Sequence, residues 1–229
     1  LGDSPLQGND KVRGNIKKQN TMNLIFGLNI HGYYILAILW NLFLILIPCW
    51  TVYFMASSVG KRKWAKFTGA EQLIFLFLFL FWLFWFPNTA YQFMIPRHLV
   101  DYCAVYDKNR VCDQGSWLVP FFFMYALAGL PTFYYALNRM ERLLAGVFSA
   151  RISKAFVLFV IPLTTLGVML GLFERSNSWE VLTQPFSLLG IALGYFQSAD
   201  MLAFFLAFTV SLYAIYFGFK GFIRKLSEL

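Results

Sequence analysis

The stretch from Gln72 to Gln92, QLIFLFLFLFWLFWFPNTAYQ, decides the fold class. Between Leu73 and Phe86 it carries no polar side chain, and as a helix it is long enough to cross the roughly 30 Å of a bilayer's hydrocarbon. Leu and Phe alternate through it, yet both are apolar, so the polar-in, apolar-out dyad of a membrane β-barrel is missing. A helix that is apolar all round needs lipid or other helices on every side.

Four further stretches read the same way: Tyr33 to Ser57, Trp117 to Asn138, Ala155 to Phe173 and Met201 to Phe219. The composition agrees, with 59% hydrophobic, 20% aromatic and only 13% charged residues over 229 positions, against about 25% charged in soluble domains. These figures exclude a disordered chain, a disulfide scaffold and a nucleic-acid-binding protein. The fold class is therefore all-α, a polytopic transmembrane helical bundle with five spans. One apolar run does not fit the count. Phe186 to Phe196 is about 17 Å long as helix, too short to cross, whereas the run onward to Phe219 would be about 51 Å, too long. A short interfacial or re-entrant helix resolves this, and it leaves Asp200 near a water boundary instead of at mid-membrane, where a carboxylate costs about 3 kcal/mol. Residues 1–32 form a polar, basic N-terminal tail or outer loop, and 33–229 form one transmembrane domain.

Basic residues assign the sides. Lys61, Arg62, Lys63 and Lys66 follow the first span, Arg139, Arg142, Arg151 and Lys154 the third, and Lys220, Arg224 and Lys225 the fifth, whereas the opposite loops hold Arg97, Lys108, Arg110 and Arg175. The bias places the first group and the C-terminus in the cytoplasm. Lys11, Arg13, Lys17 and Lys18 object, since five spans then put the N-terminal tail outside. Two readings of that tail stay open: a solvated extension without a role, or an outer loop that follows one more helix upstream of Leu1, making six spans in the complete protein. The net charge of +8 follows from this topology, and a basic inner surface attracts anionic lipid headgroups. The lipid bilayer is thus one partner, and nucleic acid is not.

Pro48, Pro87, Pro120, Pro131 and Pro162 lie within spans, and each frees a backbone carbonyl that lipid cannot satisfy. Kinks are their ordinary meaning, hinges the sharper one. Gly167 with Gly171, and Gly190 with Gly194, have the small-xxx-small spacing of close helix approach. Asn41 and Asn88 fall in the outer half, where an interhelical hydrogen bond is the usual role and a polar cavity opening outward the other. The outer loops gather His98, Asp101, Asn177, Trp179 and Glu180. Trp117 and Trp179 suit an outer aromatic belt, Trp50 and Trp64 an inner one.

Of three cysteines, Cys49 sits in a span as a small hydrophobe, while Cys103 and Cys112, in an outer loop, are either bridged or free thiols. With His98 they match no zinc spacing, so no metal is expected. Nucleophile-elbow, zincin and phosphate-loop motifs are absent, no cofactor is implied, and the acids noted, Glu71, Glu174 and Asp200, only border spans. That weakens a proton-coupled transporter.

Trp40-Asn41-Leu42-Phe43-Leu44 running to Pro48, Phe86-Pro87-Asn88-Thr89-Ala90-Tyr91 leading to His98-Leu99, and Asn177-Ser178-Trp179-Glu180 together resemble the bacterial membrane family catalogued as domain of unknown function thirteen-sixty-one. The resemblance implies a polytopic membrane protein of unassigned activity and an additional upstream helix. Members commonly place Thr-Asp shortly before the His; this chain has Met94 and Ile95, so an Asp-His pair does not carry over, although Asp101 lies three residues beyond His98.

Three functions are compatible. The leading one is a plasma-membrane protein without catalysis of its own, binding a membrane protein partner or small solute at the outer helix ends through Asn41, Asn88, Tyr91, His98, Asp101, Asn177, Trp179 and Glu180. The second is a small permease or flippase. The third is an interfacial enzyme on lipid-linked or cell-wall substrates with His98 as acid or base and Asp101 or Glu180 as its partner.

Overall fold

A computed structural model describes residues 29–30, 33–59, 62–99, 116–174 and 183–228. Asp101, Cys103, Cys112, Asn177, Trp179 and Glu180 lie outside the described residues. The helices are α1 (Ile35–Val59), α2 (Gly69–Trp85), α3 (Pro87–Tyr91), α4 (Leu118–Leu127), α5 (Gly129–Val147), α6 (Ala150–Phe173), α7 (Pro185–Tyr195) and α8 (Ala199–Leu226), with 3-10 turns at Trp64–Lys66 and Gln92–His98. Among the described residues five runs are long and apolar enough to cross a membrane: Leu36–Val59, Gly69–His98, Leu118–Val147, Ala150–Phe173 and Ala199–Leu226; Pro185–Tyr195 is shorter. The all-α bundle expected from the sequence is the observed one.

The chain divides into two compact units, Leu1–Phe43 and Leu44–Leu229. In the first, Asn29–Ile30 pairs antiparallel with Tyr33–Tyr34 ahead of the opening turns of α1. The packing described next is internal to the second.

Local chemistry explains the helix ends. Thr68 and Glu71 form a reciprocal capping box at the start of α2, with Thr68 Oγ1 accepting from the Glu71 N–H and Glu71 Oε2 from the Thr68 N–H. Arg62 then pairs with the other Glu71 oxygen at 2.6 Å. Ser149 caps α6 and Ser198 caps α8. Asp200, in the first turn of α8, is exposed at that helix's positive end.

Helix α6 is the hub, touching α3, α5, α7 and α8. It buries Val157, Val160, Ile161, Thr164, Thr165 and Val168, a stripe of helical period. Beside it an aromatic stack runs from Trp82 to Phe86 (4.4 Å between centroids) and on to Phe133 (5.4 Å). At the basic end Trp64 packs on Phe67, Phe75 and Phe148, tying the turn before α2 to the α5–α6 corner.

Among lipid-immersed helices, association rests on close packing and interhelical hydrogen bonds, since hydrocarbon is no worse a neighbour than leucine. The prolines show both. Pro162 lies within unbroken α6 and removes the N–H that would bond the Leu158 carbonyl; the Tyr213 hydroxyl of α8 donates to that oxygen at 2.5 Å. One turn away, Thr209 Oγ1 donates to Thr165 Oγ1 at 2.9 Å. Pro87 and Pro131 instead stand beside breaks, between α2 and α3 and between α4 and α5. Tyr213→Phe should cost about 1 kcal/mol, and markedly less in a Pro162→Ala background, where the restored N–H reclaims the Leu158 carbonyl. Denaturation in mixed micelles reads both; equal losses would refute the pairing.

The glycines sort differently from their spacing. A Cβ on Gly167 would lie 2.8 Å from Pro87 Cγ, so this glycine lets α6 meet α3. Gly190 and Gly194 of α7 would meet nothing within 4 Å, so their spacing marks no close helix approach. Helix α7 buries only Leu188 and Tyr195, two turns apart.

Candidate functional site

At the end of the bundle away from most basic residues, α3 and the following 3-10 turn bring several candidate residues together. Thr89 donates its N–H to the Phe86 carbonyl, a tightened turn that leaves the Trp85 carbonyl free of its usual helical donor. Asn88 Nδ2 donates to that Trp85 oxygen at 3.0 Å. Here Asn88 completes its own backbone. Gln92, fully buried, donates Nε2 to the Tyr125 carbonyl at 3.2 Å and fastens the 3-10 turn to α4. The His98 ring, partly buried, rests 6.2 Å from that of Phe122.

Arg97, which the sequence reading placed only as a loop cation, organises this end. Its Nη1 donates to the Leu172 carbonyl at 3.2 Å and its Nη2 to the Tyr91 hydroxyl at 3.1 Å, with the guanidinium 6.0 Å from the Tyr91 ring centroid. Leu172 belongs to the last turn of α6, where carbonyls lack helical donors and the dipole is negative, so a cation is favoured. Both acceptors are neutral, and no carboxylate pairs with Arg97 among the described residues. The next residue after α6, Glu174, accepts instead from the Tyr195 hydroxyl at 3.4 Å. Burial, and then the Glu174 carboxylate, push the Tyr195 phenol up to about 12, so it remains a donor.

A second constellation lies toward the basic end and was missed by the sequence reading. The third span was expected to stop at Asn138, but α5 continues to Val147. Glu141 therefore lies on the helix itself, in its amphipathic continuation between exposed Arg139 and Arg142, and not in a loop after it. Glu141 Oε2 accepts from the Tyr216 hydroxyl and from Lys220 Nζ at 2.5 Å, tying α5 to α8. The glutamate side chain is 13% exposed and the lysine 40%. Lys220 Nζ stands 5.4 Å from the Tyr216 ring centroid, and the Tyr134 ring lies 5.9 Å from that of Tyr216. Asn138 Oδ1 is sealed from solvent and has no hydrogen-bond partner among the described residues. The available signal was the run Phe133, Ala136, Leu137, Met140, Leu143, Leu144 and Val147, whose helical period carries on past Asn138.

Asn41 has intermediate exposure in α1. Cys49 is buried, its thiol 3.6 Å from the carbonyl oxygens of Ile45 and Thr132. No three His, Cys, Asp or Glu side chains converge as a metal site among the described residues.

Five membrane-length helices around a shared core define a multi-pass helical membrane protein. Residues 40–215 match the model of the family described as "Protein of unknown function (DUF1361)", and the chain belongs to that family. No curated protein and no solved structure matches it.

Proposed function

We propose that this chain is a plasma-membrane protein, without chemistry of its own, that binds a partner or small solute at the end of the bundle formed by Tyr91, Arg97 and His98. That end faces outward and the C-terminus lies in the cytoplasm. The observation that carries the reading is Arg97: a guanidinium held in one orientation by two neutral oxygens keeps donors free and its charge uncompensated by any described acid. Sidedness draws on charge, because every described Lys or Arg other than Arg97 falls toward the opposite end.

Two measurements test this. In a background with its three cysteines replaced, a cysteine at His98 should react with a membrane-impermeant maleimide in intact cells, and one at Lys63 only after permeabilisation. The reverse pattern would overturn the orientation. Arg97→Ala, present in the membrane at wild-type level, should fail to restore the phenotype lost on deletion of the gene. Full rescue would remove Arg97 from the binding end.

A further inference from the structure

A largely buried carboxylate is costly unless it is paired and hydrogen-bonded. Glu141, Tyr216 and Lys220 form such a group, and on the same helix Asn138 holds a solvent-sealed amide oxygen with no hydrogen-bond partner among the described residues. Asn138 precedes Glu141 by one helical turn and Tyr134 precedes Asn138 by another, so the three share one stripe of α5. That stripe meets Tyr216 and Lys220 of α8. A carboxylate, the ring of Tyr216 and an idle amide oxygen are the acceptor set that recognises a primary ammonium group. The ammonium now present belongs to Lys220, whose side chain is 40% exposed and whose flexible stem allows the charge to move to the headgroup layer. Arg142, next to Glu141, is exposed and has no acidic partner among the described residues.

We propose that this site binds the zwitterionic headgroup of an aminophospholipid: its primary ammonium takes Lys220's place on Glu141, and the released Lys220, with Arg142, takes its phosphate. Charge balances throughout, because one internal ion pair is exchanged for two pairs with a ligand of no net charge. Asn138 Oδ1 supplies the acceptor for a further ammonium proton. The proposal concerns the basic end and stands apart from the binding end at Arg97. The exchange selects by headgroup. A choline headgroup has no N–H to donate, and a glycerol headgroup has no cation.

The test uses the purified full chain titrated with short-chain phosphatidylethanolamine, phosphatidylcholine and phosphatidylglycerol, with retention read by native mass spectrometry and thermal shift. The ethanolamine lipid is expected to bind at least tenfold more tightly than either other lipid. Glu141→Gln should bring the ethanolamine and choline lipids within twofold of one another, and Asn138→Leu should reduce the ethanolamine preference while leaving glycerol-lipid binding unchanged. Free phosphoethanolamine that competes at the lipid's own affinity would identify the soluble headgroup as the ligand; weaker competition identifies the lipid. Equal binding of the three lipids by the wild-type chain, or a preference that survives Glu141→Gln, would overturn the site and leave Glu141–Lys220 as a helix clasp. The wild-type comparison decides the matter alone if a variant does not fold.

Discussion

Gly129→Ala should destabilise the bundle by about 1–3 kcal/mol, the usual cost of forcing atoms into a filled space. Gly129 begins α5 directly beneath α3, and an added Cβ would stand 2.8 Å from Gln92 Cβ and 2.9 Å from the Thr89 carbonyl oxygen. The first neighbour belongs to a side chain that is fully buried and bonded to the Tyr125 carbonyl. The second is backbone and cannot turn aside. Relief therefore requires α5 to withdraw from α3 and the 3-10 turn, which also loosens the stack between Phe86 and Phe133. Gly190→Ala is the control: its Cβ would meet nothing within 4 Å, and alanine is the better helix former by about 1 kcal/mol, so that variant should be neutral or more stable. Denaturation of both in the same mixed micelles gives the comparison. A Gly129→Ala protein as stable as wild type would mean that α3 and α5 do not approach as described.

The glycines also show how far sequence spacing can be read. Small-xxx-small spacing draws notice to Gly167, where an added Cβ would collide with Pro87, and equally to Gly190 and Gly194, where it would meet nothing within 4 Å. Gly129 has no such partner in the sequence, and its role follows from a helix break. Spacing states which residues share a helix face; it does not state whether another helix lies against that face. The spans were legible because hydrocarbon thickness sets a length that any apolar run meets or misses. Their ends were less so. Leu118–Val147 is apolar to Leu137 and then becomes amphipathic, with Arg139 and Arg142 exposed and Met140, Leu143 and Leu144 buried. A search for uninterrupted apolar residues stops at that change, whereas helical period continues through it.

The candidate residues divide on similar grounds. Asn88 was singled out as a polar residue costly enough to need a purpose, and part of that purpose is local, the repair of a carbonyl freed by a tightened turn. Tyr91 and His98 do share an end with Arg97, because a short helix and a 3-10 turn fold them into successive turns of one element. Arg97 itself was hidden by its neighbourhood in the sequence, where a loop arginine is unremarkable. What distinguishes it is the bond to Leu172 at the end of α6, a long-range contact that no local pattern contains.

Glu141→Leu should destabilise the protein by about 2 kcal/mol, and the partition of that loss is informative. The Tyr216 ring and hydroxyl are buried, so removing the carboxylate leaves a phenol O–H without an acceptor, which costs about 1–3 kcal/mol in an apolar interior. Lys220 loses its counter-ion too, but at 40% exposure it can carry its charge outward to the headgroups, so its share is small. Adding Tyr216→Phe to Glu141→Leu removes the orphaned donor and should return most of the lost stability, whereas adding Lys220→Met should return little. The opposite order would show that the ammonium, and not the phenol, is the group that depends on Glu141. Such a result would also conflict with a lysine free to leave for a lipid, since the exchange at this end requires that Lys220 be the loosely held member of the trio and Tyr216 the fixed one.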